Sequence, residues 1–574
     1  MELEVVAIIG VLLVVTASTL APKIGVASPL LLVALGFGLT MLPMVESVAI
    51  PPELILGGIL PPLLYAAAVD TPVMEFRRDL PTISVFSVVL VALTAVVVGL
   101  VAVAIVPGMP LGVGIALGAV ISPTDAVATS IVRKAGVSKR IVTILQGESL
   151  LNDASALVLL RAAVASIGIG VSLLEVAGQF VWAVVGALAI GGLVGWLNLV
   201  VRGRIHQVSA NVALSLIIPF AAYLPAEEVG ASGLVAAVVA GLVTGYGTPA
   251  WMGAQVRIAE RSVWKTIELI LESAVFLLVG LELPALAADT GDSGLLLPAV
   301  LAVLLGAVVV VLRVGMVSWS VWQLARRHQR AEAGRERIVH IQAKLDAGTA
   351  PREGFPKAQG PIPRQGSPRE SAGRDRLGQW QRMLDRRRAD LDYLAAERLG
   401  WPEGSILVWA GMRGAITIAA AQTLPSEVPY RSLVILVATM VAVGTLIIQG
   451  LTLQPLTKKL GLADGRGATD PGQWDALQAE LDAAALARLS SSGNEHAAAL
   501  AEKWRARLDR SDDDPQRPDI AKLTALRLAV IDAQRSRLLD LRGVGSYPST
   551  MVDDALAQLD ATQIGIELRQ QYLE

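Results

Sequence analysis

Apolar residues recur along this chain in blocks of about 17 to 25 positions, the length a helix needs to cross a hydrocarbon layer about 30 Å thick. Thirteen or so blocks are legible, at approximately Val5 to Ala21, Ser28 to Met44, Glu53 to Val69, Leu80 to Val106, Leu111 to Val132, Ile141 to Ala165, Ser172 to Val200, Ser209 to Leu224, Val229 to Tyr246, Trp264 to Leu283, Leu295 to Leu324, Gly404 to Leu424 and Ser432 to Leu456. This pattern predicts an all-α polytopic membrane protein. Residues 1–460 form the membrane domain, with a basic cytoplasmic loop at 326–403. After position 461 the pattern becomes polar, and Ala476 to Leu489 and Ile520 to Leu541 read as amphipathic helices of a small cytoplasmic domain over 461–574.

Charge in the connections gives the orientation, because Lys and Arg collect in loops on the cytoplasmic side. The loops after spans one, three, five, seven and nine carry Lys23; Arg77 and Arg78; Arg133, Lys134, Lys139 and Arg140; Arg202 and Arg204; and Arg257, Arg261 and Lys265. After even-numbered spans the loops contain only Arg431. The expected topology is N-terminus outside, C-terminus in the cytoplasm. The acidic start Met1-Glu2-Leu3-Glu4 lacks the basic region of a secretory signal, so the first block reads as a retained span.

Composition agrees with the pattern: of 574 residues 53% are hydrophobic and 17% charged, with a mean hydropathy of +0.58. Aromatics are only 4% while glycines number 53, which suits helices packed through small residues. There is no cysteine, which excludes disulfides and thiolate metal sites. Neither a cofactor nor a nucleic-acid partner is expected.

Thirteen spans split into six, one and six, and the two sextets then enter the membrane from opposite sides. Secondary transporters are built from such inverted repeats, with ion sites where corresponding helices are broken near the midplane. Spans five and twelve qualify: Ser122-Pro123-Thr124-Asp125 interrupts one and Gly411-Met412-Arg413-Gly414 the other. Proline removes a helix donor and glycine lets the chain unwind at little steric cost.

Span six holds the most polar stretch, Gln146-Gly147-Glu148-Ser149-Leu150-Leu151-Asn152-Asp153. A charge at mid-bilayer costs at least 2.5 to 3.5 kcal/mol or so, so acids there mark ion or proton paths. Ser149, Asn152 and Asp153 share a helix face, whereas Glu148 lies about 140° around the axis from Asp153. Arg413 needs an anionic partner, and Glu148 is the candidate whose direction leaves Asp153 free. Asp153 is then the shared proton and cation carrier. With neutral Asn152 beside it, one Na+ replaces one H+ without a change in carrier charge, which predicts electroneutral exchange. Thr124, Ser149 and local carbonyls supply oxygen ligands, and Asp125 organises the broken helix. Among other intramembrane charges, Glu272 stands out over Glu268 and Glu282 as a pathway acid, and Arg161 and Arg313 read as structural.

The motifs Ser122-Pro123-Thr124-Asp125, Gly147-Glu148-Ser149-Leu150-Leu151-Asn152-Asp153 and Gly411-Met412-Arg413-Gly414, supported by Leu60-Pro61-Pro62-Leu63-Leu64 and Phe276-Leu277-Leu278-Val279-Gly280-Leu281-Glu282, resemble those of the NhaP/NHE-type cation:proton antiporter-1 family. The resemblance implies a homodimer of thirteen-helix subunits, each with a dimerisation domain and a six-helix core that moves like an elevator. It also implies ion ligation by Asp153, Ser149 and the Thr124 backbone, and a Glu148 to Arg413 bridge. One departure matters: many relatives carry an acid where Ala66 follows Tyr65, so water or Tyr65 is expected to fill that gap, with Asp70 a weaker candidate. The expected function is Na+/H+ exchange in the cell membrane serving pH homeostasis, with Li+ or K+ as further cargo; K+/H+ exchange is the alternative. An intramembrane aspartyl protease using Asp125 and Asp153 leaves Asn152 and Arg413 unexplained. An organic-anion symporter would want a free core cation.

Overall fold

The computed structural model describes residues 3–24, 28–41, 53–167, 173–288, 295–346, 400–462, 471–491, 502 and 520–571, with no strand among the described residues. Two compact units emerge, Met1–Ser320 with Trp401–Gly467, and Val321–Gly400 with Ala468–Glu574.

The first unit begins with α1 (Leu3–Ile24) and α2 (Ser28–Leu39), followed by α3 (Leu60–Val69). Pro61 and Pro62 open α3 and cannot donate to the preceding turn, and the chain before them, Leu54–Ile59, widens into a π-helical turn. Next come α4 (Val73–Ser84) and α5 (Leu90–Ile105), joined through a second π-helical turn at Val85–Val89, then α6 (Leu111–Ile121), α7 (Ala126–Lys134) and α8 (Lys139–Ala165). After these run α9 (Leu173–Arg202), α10 (Val208–Glu228), α11 (Gly233–Trp251), α12 (Ala254–Ala288) and α13 (Leu296–Asp346), whose residues from Val321 onward belong to the second unit. The unit closes with α14 (Trp401–Trp409), α15 (Ala415–Gln422) and α16 (Arg431–Lys459).

Among the described residues, the apolar blocks read from the sequence fall mainly on helix. Seven helical stretches among the described residues are long and apolar enough to cross a membrane, among them Val73–Ile105, Gly233–Trp251 and Arg431–Lys459, and four shorter apolar helices accompany them. The chain is therefore multi-pass. Spans five and twelve are each two half-helices, α6 with α7 and α14 with α15. Helix α13 continues past Leu324, where the apolar run ends, to Asp346. Most of the basic loop, residues 347–399, lies outside the described residues.

Helices α3, α9, α10 and α11 pack tightly as one group, while α4 to α8 pack with α14, α15 and α16 as another. Small residues set these distances: a Cβ on Gly114 of α6 would come 2.7 Å from the Gly99 carbonyl oxygen of α5. Helix α8 touches the first group only sparsely. Helix α12 contacts α3 and α10 on one side and α15 and α16 on the other.

In the second unit α17 (Pro471–Ser491), α18 (Ile520–Val544) and α19 (Ser549–Gln571) are helical. Leu477 and Leu481 pack with Leu538, Leu541, Met551 and Val552. The third of these helices has no counterpart in the pattern reading, because its apolar positions are too widely interspersed with Asp and Gln to form a long stripe.

Candidate ion site

The two broken helices meet at their breaks. The Asp125 amide donates to the Met412 carbonyl at 2.8 Å. Pro123, lacking an N–H, separates α6 from α7, and the segment through Gly411 and Gly414 separates α14 from α15. Each break leaves a helix C-terminus with orphan carbonyls and partial negative charge, and a helix N-terminus with partial positive charge. Arginines cover the negative ends. Arg413 donates from Nε to Ile121 O at 2.9 Å and from Nη2 to Ser122 O at 3.5 Å, and its Nη1 donates to Gly411 O. Arg313 of α13 donates from Nε to Leu407 O of α14 at 2.9 Å. An acid covers the positive ends: Asp125 stands at the start of α7, and its carboxylate fills the space a Cβ on Gly414, the N-cap of α15, would need.

Glu148 was expected to pair with Arg413, and the structure instead pairs it with Arg313. Arg313 Nη2 donates to Glu148 Oε2 at 2.9 Å, Nη1 donates to Oε1, and both side chains are at most 2% exposed. The physical reason is that Arg413 is engaged by the carbonyls orphaned at the breaks. Arg313 reaches Glu148 past Gly411, where a Cβ would come 2.5 Å from its Nε. Both arginines lie in apolar runs, and no spacing rule in the sequence distinguishes them.

The other face of α8 turns to a cavity of about 120 Å3. Asp153, 2% exposed, lines it, and its Oδ1 has no hydrogen-bond partner. Thr124, Asp125 and Ser149 line it as well, as do Asp70, Glu268 and Glu272, and among the described residues no Lys, Arg or His does. Glu148 is absent from this lining, as its phase on the helix requires. Ser149 Oγ donates to the Thr124 carbonyl at 2.8 Å, and Asn152 Nδ2 donates to Thr124 Oγ1 at 2.8 Å. Thr124, Ser149 and Asn152 therefore link α8 to the break between α6 and α7 instead of bonding back along their own helices.

Asp70 faces the cavity although its place at the end of α3 suggested a position too near the surface. Ala66 and Tyr65 lie elsewhere, packed among Ala187, Ile218, Ala222 and Trp264, with the Tyr65 and Trp264 rings 5.1 Å apart. Tyr65 thus does not fill a gap in the cavity. Glu282 accepts from Gln422 Nε2 at 2.9 Å, away from the cavity.

Two residues read as loop charges prove to be buried. Arg140 donates from Nη2 and Nε to Asp79 Oδ1 at 2.9 and 3.0 Å and from Nε to Oδ2 at 3.3 Å, and Arg202 binds Glu260 and Asn211, each at 2.8 Å. Each lies at a helix end, where sequence position alone does not distinguish a solvated arginine from a paired one.

A buried acid with an unpartnered oxygen, set beside two broken helices whose end charges are covered, is the candidate ion site of this membrane protein. Comparison with known proteins gives the family. Residues 9–332 and 388–459 match the model described as "Sodium/hydrogen exchanger, transmembrane", and the chain belongs to this family of monovalent cation:proton antiporters. It is 30% identical over 459 residues to an uncharacterised Na(+)/H(+) exchanger of Mycobacterium tuberculosis, spanning 78% of this chain and 72% of that one. It is 26% identical over 447 residues to the Na(+)/H(+) antiporter ApNhaP of Aphanothece halophytica, spanning 76% and 70%. In fold it is similar to the sodium proton antiporter MjNhaP1 of Methanocaldococcus jannaschii, with a TM-score of 0.50 at 15% identity over 82% of this chain and 100% of that one.

Proposed function

We propose that the protein exchanges Na+ for H+ with Asp153 as the single shared site, one ion for one proton and without net charge movement. The observation that carries this reading is the buried, unpartnered Asp153 oxygen on a cavity whose other charged lining residues are all acids. A cation entering there meets negative charge throughout, and at the end of its path it competes with a proton for one carboxylate. Ser149 Oγ and the Thr124 carbonyl, already 2.8 Å apart, are the neutral ligands beside it. Asn152 holds Thr124 in place, and Asp125 organises the crossing. Because Asn152 adds no second charge to the carrier, the cation-loaded and proton-loaded forms are equally neutral.

The same reading takes α4 to α8 and α14 to α16 as the moving core and α3, α9, α10 and α11 as the scaffold. It places thirteen spans in two inverted repeats, the N-terminus outside, the C-terminus in the cytoplasm, two subunits in a dimer, and the tail as a regulator. K+/H+ exchange by the same mechanism is the second reading. A protein of Bacillus pumilus, 32% identical over 267 residues, 45% of this chain and 40% of the relative, is named as a sodium, potassium, lithium and rubidium/H(+) antiporter, which sets K+ beside Na+ without favouring it.

Proteoliposomes with an imposed pH gradient test both. Added Na+ dissipates the gradient without generating a membrane potential, and Asp153→Asn abolishes the response. A potential-generating exchange overturns the one-for-one stoichiometry, and an intact response in Asp153→Asn overturns the site. A response to K+ exceeding that to Na+ decides for the second reading.

A further inference from the structure

The cavity is lopsided. On α3 its lining runs from Leu63 to Thr71 at the helix end, and on α8 from Asp153 back to Gln146 in the N-terminal half. It therefore extends from the level of Asp153 toward one membrane face only. On the opposite side, two turns beyond Asp153 and about 12 Å along the axis, α8 carries Arg161. Arg161 Nη1 donates to both carboxylate oxygens of Glu227, at 2.8 Å each. Glu227 lies in the last turn of α10, and its Oε1 also accepts from the Gly233 amide at the start of α11, at 2.8 Å. Elsewhere α8 meets α9, α10 and α11 only sparsely.

We propose that Arg161 and Glu227 are positioning residues for the exchange, forming a latch that holds the carrier helix against α10 and α11 at the closed end and so sets the side to which Asp153 is presented. The latch joins the group containing Asp153 to the group that lines the facing wall. If α8 slides relative to α10, this is the ion pair that breaks. Part exposure suits the task, since the two side chains are 38% and 29% exposed. Water can rehydrate both ends when they separate, so release is far cheaper than for a buried pair such as Arg313 with Glu148. The Gly233 amide holds Glu227 in place between closures.

The inference rests on Asp153 serving alternately to both sides, and its test is chosen to be independent of transport. The chain has no cysteine, so a single Ala67→Cys in the cavity wall reports its opening through the rate of reaction with a membrane-impermeant thiol reagent. In proteoliposomes, Arg161→Gln and Glu227→Gln are each expected to slow labelling from the cavity side about two- to fivefold, the population shift that loss of a part-exposed pair produces. Arg161→Lys, which keeps the charge and leaves Glu227 on the Gly233 amide, retains most of the rate. Apparent Na+ affinity measured on the cavity side weakens in parallel, with a smaller change in maximal rate. Labelling unchanged in both single variants overturns the latch, whatever the fate of Asp153. Slowing in Arg161→Lys equal to that in Arg161→Gln, which would mean a general structural defect, overturns it too.

Discussion

Removing Glu148's partner is the sharpest test of the way the core is held. Glu148 and Arg313 are 1% and 2% exposed and joined by two hydrogen bonds, so Arg313→Met strands a buried carboxylate. Breaking a pair of this kind costs about 3–5 kcal/mol, and the lost hydrogen bond to Leu407 O adds about 1–3 kcal/mol. Glu148→Gln costs a comparable amount by stranding the guanidinium. The double variant Glu148→Gln with Arg313→Met leaves no unpaired charge, so it should lose no more than the worse single, a coupling of roughly 3 kcal/mol. At about 2 °C per kcal/mol for a chain of this size, Glu148→Gln melts roughly 6–10 °C below the parent, Arg313→Met roughly 8–16 °C below it, and the double well above the sum of those losses. Melting temperature in detergent at a fixed scan rate reads all four proteins. The parallel cycle of Glu148→Gln with Arg413→Met should be close to additive, because Arg413 binds backbone carbonyls. Stronger coupling to Arg413 than to Arg313 would refute the assignment.

Asp153→Asn, silent in transport, is expected to melt no lower than the parent, since no hydrogen bond to Oδ1 is lost; a fall comparable to that of Arg313→Met would mean the carboxylate is structural. Gly411→Ala and Gly414→Ala push a methyl group into Arg313 and the Asp125 carboxylate respectively. Each should lose about 1–3 kcal/mol and most of its exchange activity, while Gly192→Ala, where a Cβ meets nothing within 4 Å, stays at parental stability and rate. Ala66→Glu places an unpaired acid in the apolar cluster around Tyr65 and Trp264. It is expected to cost several kcal/mol without tightening Na+ binding, and a variant of normal stability with higher Na+ affinity would show that position 66 reaches the ion.

Much of the architecture follows from features local to each helix. Apolar length fixes which segments are helical, Pro123 and the Gly411 to Gly414 pair fix where two of them break, and the 3.6-residue period sends Asp153 and Glu148 to different faces. Phase gives a direction, however, and not a neighbour. Whether Glu148 meets Arg313 or Arg413 depends on how α13 and the crossing are placed, and on which cation the exposed helix ends claim first. Arg140 and Arg202 show a related ambiguity: a basic residue at a helix end looks alike in sequence whether it faces water or a buried acid. The direction of Ala66 was equally out of reach, since α3 is apolar all round and its two sides differ only in what packs against them.

The charges around the two broken helices come in matched numbers. Glu148 and Asp125 are balanced by Arg313 and Arg413, so these four contribute no net charge at the breaks, and the charge that changes there is that of Asp153 and whatever it carries. Under the exchange proposed above, a carrier bearing Na+ or H+ is neutral, while one bearing neither is an anion in a low-dielectric setting. Moving a bare charge through such a setting costs at least a few kcal/mol, which slows that step about a hundredfold or more. The return journey without cargo is the one step that would uncouple the two ions and drain both gradients. Balanced arginines thereby act as an anti-leak device: they leave cargo as the condition for crossing.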